Sequence, residues 1–312
     1  MIEESGRDVM LGFGKQKQVT EYEADGESER VYHEIKQTLR VTGINLNFRT
    51  WAGYEKFFPA MWDAMRPLAE TRAFETAADC VRAEAVRAAD KLPRLENQSR
   101  AALGESQAYQ LRAALDLYHY INPKLLVFTS AVKLALDGAQ PERGGKASAD
   151  VELIERGVPA RMYPMEMVSS EPEEERIKEL FEDIKQTLSL SSINSDYRTL
   201  ALWPDYLSAG WKKLKPIVQG DEFKRASDNL RETARKLAHT LPFPVPLSRE
   251  RLEELGEDAD EIATTTEKFE RLLPSLIINI ALFSLDWKTP ETLVQSPFPA
   301  RPRRNAVQGG AR

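Results

Sequence analysis

The strongest constraint on this chain is that part of it occurs twice. Residues 32–62 read YHEIKQTLRVTGINLNFRTWAGYEKFFPAMW, and residues 181–211 read FEDIKQTLSLSSINSDYRTLALWPDYLSAGW, an ungapped offset of 149. Ile35, Lys36, Gln37, Thr38 and Leu39 return as Ile184, Lys185, Gln186, Thr187 and Leu188. Asn45, Arg49, Thr50 and Trp62 return as Asn194, Arg198, Thr199 and Trp211. A repeat of this length means a duplicated module and not a short-period solenoid. Within it Val31, Ile35 and Leu39 are spaced by four, one face of a helix. Period-two alternation is almost absent, so the expected fold is all-α. The simplest packing is two tandem helical repeats joined face to face as an intrachain pseudo-dimer.

Breaks in the pattern divide the chain. Residues 1–27 have no clear period and read as a flexible arm, with Ser28 as the N-cap of the first helix. Repeat 1 covers 28–137 and repeat 2 covers 173–299. Between them, 138–172 is rich in Gly, Pro and charge and reads as a linker over the surface. Residues 300–312 read as a disordered tail. Asn122-Pro123 interrupts an apolar stretch, where a kink or a new helix is expected. Pro274 answers Pro123 after a two-residue insertion. Ser248 is a candidate N-cap. Trp51, Trp62, Trp203 and Trp211 read as core aromatics.

The two copies differ where chemistry could sit. Asn47 in the first copy is Asp196 in the second, and only the carboxylate can take a proton. Asn122 is matched by Leu273, so this pair is asymmetric in the opposite sense. For Ser195 and Asp196 the simple reading is a helix cap; the functional one, for the Asp196 carboxylate, is a general base that activates water. For Asn122 the choice lies between a turn or cap residue and an amide that orients such a water. Arg49 and Arg198 recur as a pair, read as structural before being read as a substrate clamp. Thr71 and Glu75 are one helical turn apart and could share a cavity or a solvated face.

Composition narrows the classes. The 312 residues carry a net charge of −6, with 42% hydrophobic and 29% charged residues, as in a soluble globular protein. An acidic balance without a basic stripe argues against nucleic acid. An anionic substrate must find locally positive or N–H-rich surroundings against that field. Cys80 is the single cysteine, which excludes an intrachain disulfide and suits a reducing cytoplasm. His33, His119 and His239 have no metal-ligand spacing, so no metal or cofactor is expected. The apolar run at 276–283 is too short for a bilayer, so no membrane association is expected.

The duplicated Ile-Asn-x-Asp-Tyr-Arg segment, the Asn-Pro-Lys-Leu-Leu of 122–126 and the Ser296-Pro297-Phe298-Pro299 stretch together resemble the group I DL-2-haloacid dehalogenases, the DehI-type halocarboxylic acid dehalogenases. The resemblance spans about residues 28–300. It implies an all-α pseudo-dimer, further assembled as a homodimer, that hydrolyses short 2-haloalkanoic acids of either hand to 2-hydroxy acids. Inversion at C2 and the lack of an ester intermediate are implied with it. The family's water-activating aspartate falls on Asp196 and its supporting asparagine on Asn122. Ser195 falls at a site-lining position, and Thr71 and Glu75 at the positions of a Thr and a Glu used by some members. Wall aromatics of the family fall on Gly43, Leu46 and, retained as an aromatic, near Phe269; the first two suggest a wider pocket. Backbone N–H groups at the helix start after Ser195 are candidates for holding the substrate carboxylate. Two other classes fit a helical chain of this kind, a carboxymuconolactone-decarboxylase or AhpD-like enzyme and a non-catalytic interaction module. The lone Cys80 disfavours the thiol peroxidase form of the first.

Overall fold

A computed structural model describes residues 18–139 and 151–303. Among them every named element is helical, and pairing of extended backbone is confined to two isolated bridges. The first half contains α1 (Gly26–Leu39), α2 (Leu46–Trp51), α3 (Phe57–Ala69), α4 (Arg72–Asp90) and α5 (Glu105–Leu136). The second contains α6 (Glu175–Leu188), α7 (Ser195–Leu200), α8 (Pro204–Val218), α9 (Asp221–His239), α10 (Arg249–Glu254), α11 (Ala259–Ser284) and α12 (Pro290–Leu293).

The duplicated residues make duplicated bonds. Trp62 Nε1 donates to Glu34 at 2.8 Å, and Trp211 Nε1 to Asp183 at 2.8 Å. Arg66 and Lys215 reach the same two carboxylates. α1 and α6 both close on a left-handed residue, Arg40 with φ 62° and Ser189 with φ 53°. The four tryptophans singled out above are buried.

The core is built from four long helices. α5 lies against α11, and α4 and α9 each pack on both. Every residue of α5 from Leu117 to Lys133 is buried, so this helix is covered on all sides. Pro123 neither ends nor starts a helix; α5 runs through it. Proline leaves the carbonyl four residues earlier without its usual N–H. Here that carbonyl, of His119, accepts from Nε of the buried Arg82 at 3.1 Å. A side chain thus replaces the missing backbone donor.

Other boundaries shift for similar reasons. α1 begins at Gly26 with Asp25 at the cap position, so Ser28 is not its N-cap. Residues 1–17, within the expected arm, lie outside the described residues, but its last part is tied down. Val19 N–H donates to Arg49 O at 3.0 Å, and Tyr32 Oη to Val19 O at 2.7 Å. The linker is not a surface strap throughout; residues 140–150 lie outside the described set, whereas Ile154 is buried and its N–H donates to Glu70 O at 2.9 Å. In the tail, Arg303 N–H donates to Leu153 O at 2.8 Å, so order persists through 303, and 304–312 lie outside the described residues. Ser248 does cap α10, accepting from Arg251 N–H at 3.2 Å.

Candidate active site

The two short helices α2 and α7 begin at the same cavity. Asn45, Leu46 and Asn47 line it from the first copy, and Asn194, Ser195 and Asp196 from the second. α5 contributes Asn122 and Leu125, and α11 contributes Phe269, Leu272, Leu273 and Leu276. Asn122 points out of the unbroken α5, so it is neither a turn nor a cap residue. Its Nδ2 donates to Asp196 Oδ1 at 2.6 Å. The N-cap of α7 is Asn194, and the Asp196 carboxylate is engaged by Asn122. The capping role open to Ser195 and Asp196 from sequence is therefore not the one they take.

The surroundings set the chemistry. Asp196 is buried, and loss of solvation pushes its carboxyl up to about 6. The bonds from Asn122 and from the Asp196 backbone N–H act in the opposite direction and keep it from rising further. Such a group is a carboxylate at neutral pH yet basic enough to take a proton from water. Around it, Asn45 Oδ1, both polar atoms of Asn47, Asn194 Oδ1 and Ser195 Oγ are buried without a protein partner. Buried polar atoms are rarely left so; five converging on one cavity mark a place built to hold something polar.

The apolar side of the wall is equally specific. Leu272, Leu273 and Leu276 close it, with Phe269 edge-on to Trp51 at 6.0 Å. The cavity measures about 20 Å³, room for roughly one water. The cavity is small because Leu46 lines it together with Leu272, Leu273 and Leu276, and Gly43, expected to widen it, lies elsewhere. Among the described residues no cluster of His, Cys, Asp or Glu could hold a metal ion. None of the described helices is long and apolar enough to cross a membrane.

Of the expected site residues, Asp196, Asn122, Ser195, Leu46 and Phe269 meet at this cavity. Gly43, Thr71 and Glu75 do not. Gly43 faces the 163–168 segment, where a Cβ would sit 3.2 Å from that of Met165. Thr71 caps α4, accepting from Phe74 N–H at 3.1 Å. Glu75 is buried in an ion pair with Lys124 Nζ at 2.7 Å, with Arg40 beside it. That pair ties α4 to α5 two residues beyond Asn122, so Glu75 bears on the site through the helix that carries it. Sequence reasoning missed Asn45 and Asn194 as wall residues, although both recur in the repeat.

The family model described as "Halocarboxylic acid dehydrogenase DehI" matches residues 42–197, from before α2 into α7, and so takes in both Asn122 and Asp196. The chain belongs to the DehI family. It is an enzyme of the class that hydrolyses carbon–halide bonds. Its relatives include a configuration-inverting 2-haloacid dehalogenase of Pseudomonas sp. (strain 113), 32% identical over 74% of this chain and 76% of that one. An (R)-2-haloacid dehalogenase of Pseudomonas putida is 29% identical over 85% of this chain and 90% of its own. Among solved structures, a D-2-haloacid dehalogenase in complex with L-LA superposes with a TM-score of 0.81 at 27% identity, covering 90% of this chain and 99% of that one. The all-helical architecture of this DehI-family protein is thus shared along nearly its whole described length.

Proposed function

We propose that this DehI-family hydrolase converts short 2-haloalkanoic acids of both hands to 2-hydroxy acids by direct attack of water activated by Asp196. The observation that carries the reading is the 2.6 Å Asn122–Asp196 bond at a cavity of about 20 Å³, beside a carboxyl shifted to about 6. Asn122 fixes the carboxylate, which orients one water for attack on C2. As the new C–O bond forms, the C–halogen bond breaks on the far side. Halide leaves with the bonding pair, and a proton passes from water to Asp196. Attack opposite the leaving group inverts C2. The two repeats, meeting as a pseudo-dimer with one acid and one amide between them, give a single asymmetric site.

Two measurements test this. Halide release and product chirality are followed with separate (R)- and (S)-2-chloropropionate; both substrates are expected to react, each giving the opposite hydroxy acid. A single turnover with excess enzyme in heavy-oxygen water is expected to place the label in the product. Label recovered in Asp196 would instead establish an ester route. A second reading, turnover of the (R) substrate alone, is favoured by the Pseudomonas putida relative, and inert (S)-2-chloropropionate would establish it.

A further inference from the structure

Arg49 and Arg198 stand two residues beyond Asn47 and Asp196, on the two helices that open onto the active cavity. Both are partly buried. Their backbones are held alike, Val19 N–H donating to Arg49 O at 3.0 Å and Val168 N–H to Arg198 O at 3.1 Å. Among the described residues no carboxylate neutralises their side chains. Arg198 Nε donates only to a backbone carbonyl, that of Val168, at 2.8 Å, and Arg49 Nε is buried without a partner. Neither forms an ion pair with a carboxylate among the described residues. The carboxylate whose charge reaches Arg49, Glu21, is occupied by Lys36 at 2.7 Å and by the Ile44 N–H at 2.8 Å.

The more deeply buried cations behave differently. Arg40 has Glu155, Arg82 has Asp79 and Lys124 has Glu75. Arg49 and Arg198 also lie near enough to repel one another, and burial lowers the affinity of each for its proton. Buried Tyr118, its hydroxyl 2.7 Å from Thr199 Oγ1, lies within the fields of Arg49, Arg198 and Asp196. Two partly buried cations brought together, with no paired carboxylate among the described residues, favour an anion bound there.

We propose that Arg49 and Arg198 form an anion site at the seam of the two repeats, which recruits the carboxylate of the 2-haloacid to the Asp196 cavity. This rests on the dehalogenase reading above. It explains how a protein of net charge −6 attracts an anionic substrate. It also gives a function to the arginine pair that the duplicated segment keeps beside the cavity.

The test uses propionate, an unreactive anion, and propionamide, its neutral counterpart, as competitive inhibitors of 2-chloropropionate turnover. The wild-type enzyme is compared with Arg49→Gln, Arg198→Gln and the Arg→Lys change at each position. The Gln variants are expected to bind propionate at least about tenfold more weakly and to raise KM similarly, with propionamide inhibition unchanged. The Lys variants are expected to stay within about threefold of wild type. Wild-type kcat/KM is expected to fall as ionic strength rises. Unchanged propionate inhibition in the Gln variants, equal weakening of propionate and propionamide, or a salt-independent wild-type kcat/KM each overturns the proposal. Should the Gln variants fail to fold, the Lys variants and the salt dependence decide it. A wild-type enzyme that releases no halide from either enantiomer defeats the dehalogenase reading itself, a different outcome from any of these.

Discussion

Asp196 carries two linked consequences. Its carboxyl is raised from 3.8 to about 6 by burial, so the native protein binds a proton more tightly than the unfolded chain does. The neutral form therefore stabilises the fold fully below about pH 4, and that contribution is lost as pH rises through about 6. A shift of this size corresponds to on the order of 2–3 kcal/mol. Asp196→Asn keeps an oxygen for Asn122 and is expected to unfold at higher denaturant than wild type at pH 7.5. The same variant is expected to lose halide release by roughly a hundredfold to ten-thousandfold. In the wild type, kcat/KM is expected to fall below a pH of about 6 as the base is protonated. Asn122→Leu, which copies the residue at the matching position of α11, removes a bond that lowers the Asp196 pKa. The acid limb of the pH–rate profile is then expected to move upward. That an acid and an amide of opposite asymmetry pair was readable as a possibility from the repeat. That they touch was not, because 74 residues separate them.

At the scale of elements, α5 decides where Asn122 points. Local sequence favoured a break at Pro123, since proline removes an N–H and crowds the preceding turn. In the unbroken helix, Arg82 of α4 donates its Nε–H to the carbonyl of His119 that Pro123 leaves without a backbone donor. Nothing local signals that contact. The Glu75–Lys124 pair is a second tie between the same helices, with both side chains buried. Burial already lowers the Lys124 amine to about 8, while Glu75 opposes that shift. Glu75→Gln leaves the ammonium without its carboxylate and is expected to cost about 3 kcal/mol, read from denaturant unfolding. A one-turn spacing on a helix face showed that Thr71 and Glu75 lie near one another. It could not show that one faces a cap and the other a buried lysine.

For the whole molecule, the site exists because two copies of one segment meet. Asn45–Asn47 and Asn194–Asp196 line one cavity, and α11 shuts it with leucines. On the proposed reading, the leucines of α11 that line the cavity bound the space left for the substrate's alkyl chain. Leu276→Ala is expected to raise kcat/KM for longer 2-haloalkanoates relative to 2-chloropropionate, at a stability cost of roughly 2–5 kcal/mol. Repetition, helical period and the two mismatched positions were fixed by the order of residues alone, because each is a property of spacing along the chain. The helical class and the burial of the core tryptophans followed from them. The closeness of the pocket, the exclusion of Gly43, Thr71 and Glu75 from it, and the bond between Asn122 and Asp196 were decided only on folding. Those depend on how α4, α5, α9 and α11 pack, and burial, not local propensity, chooses which side chain fills the space between helices.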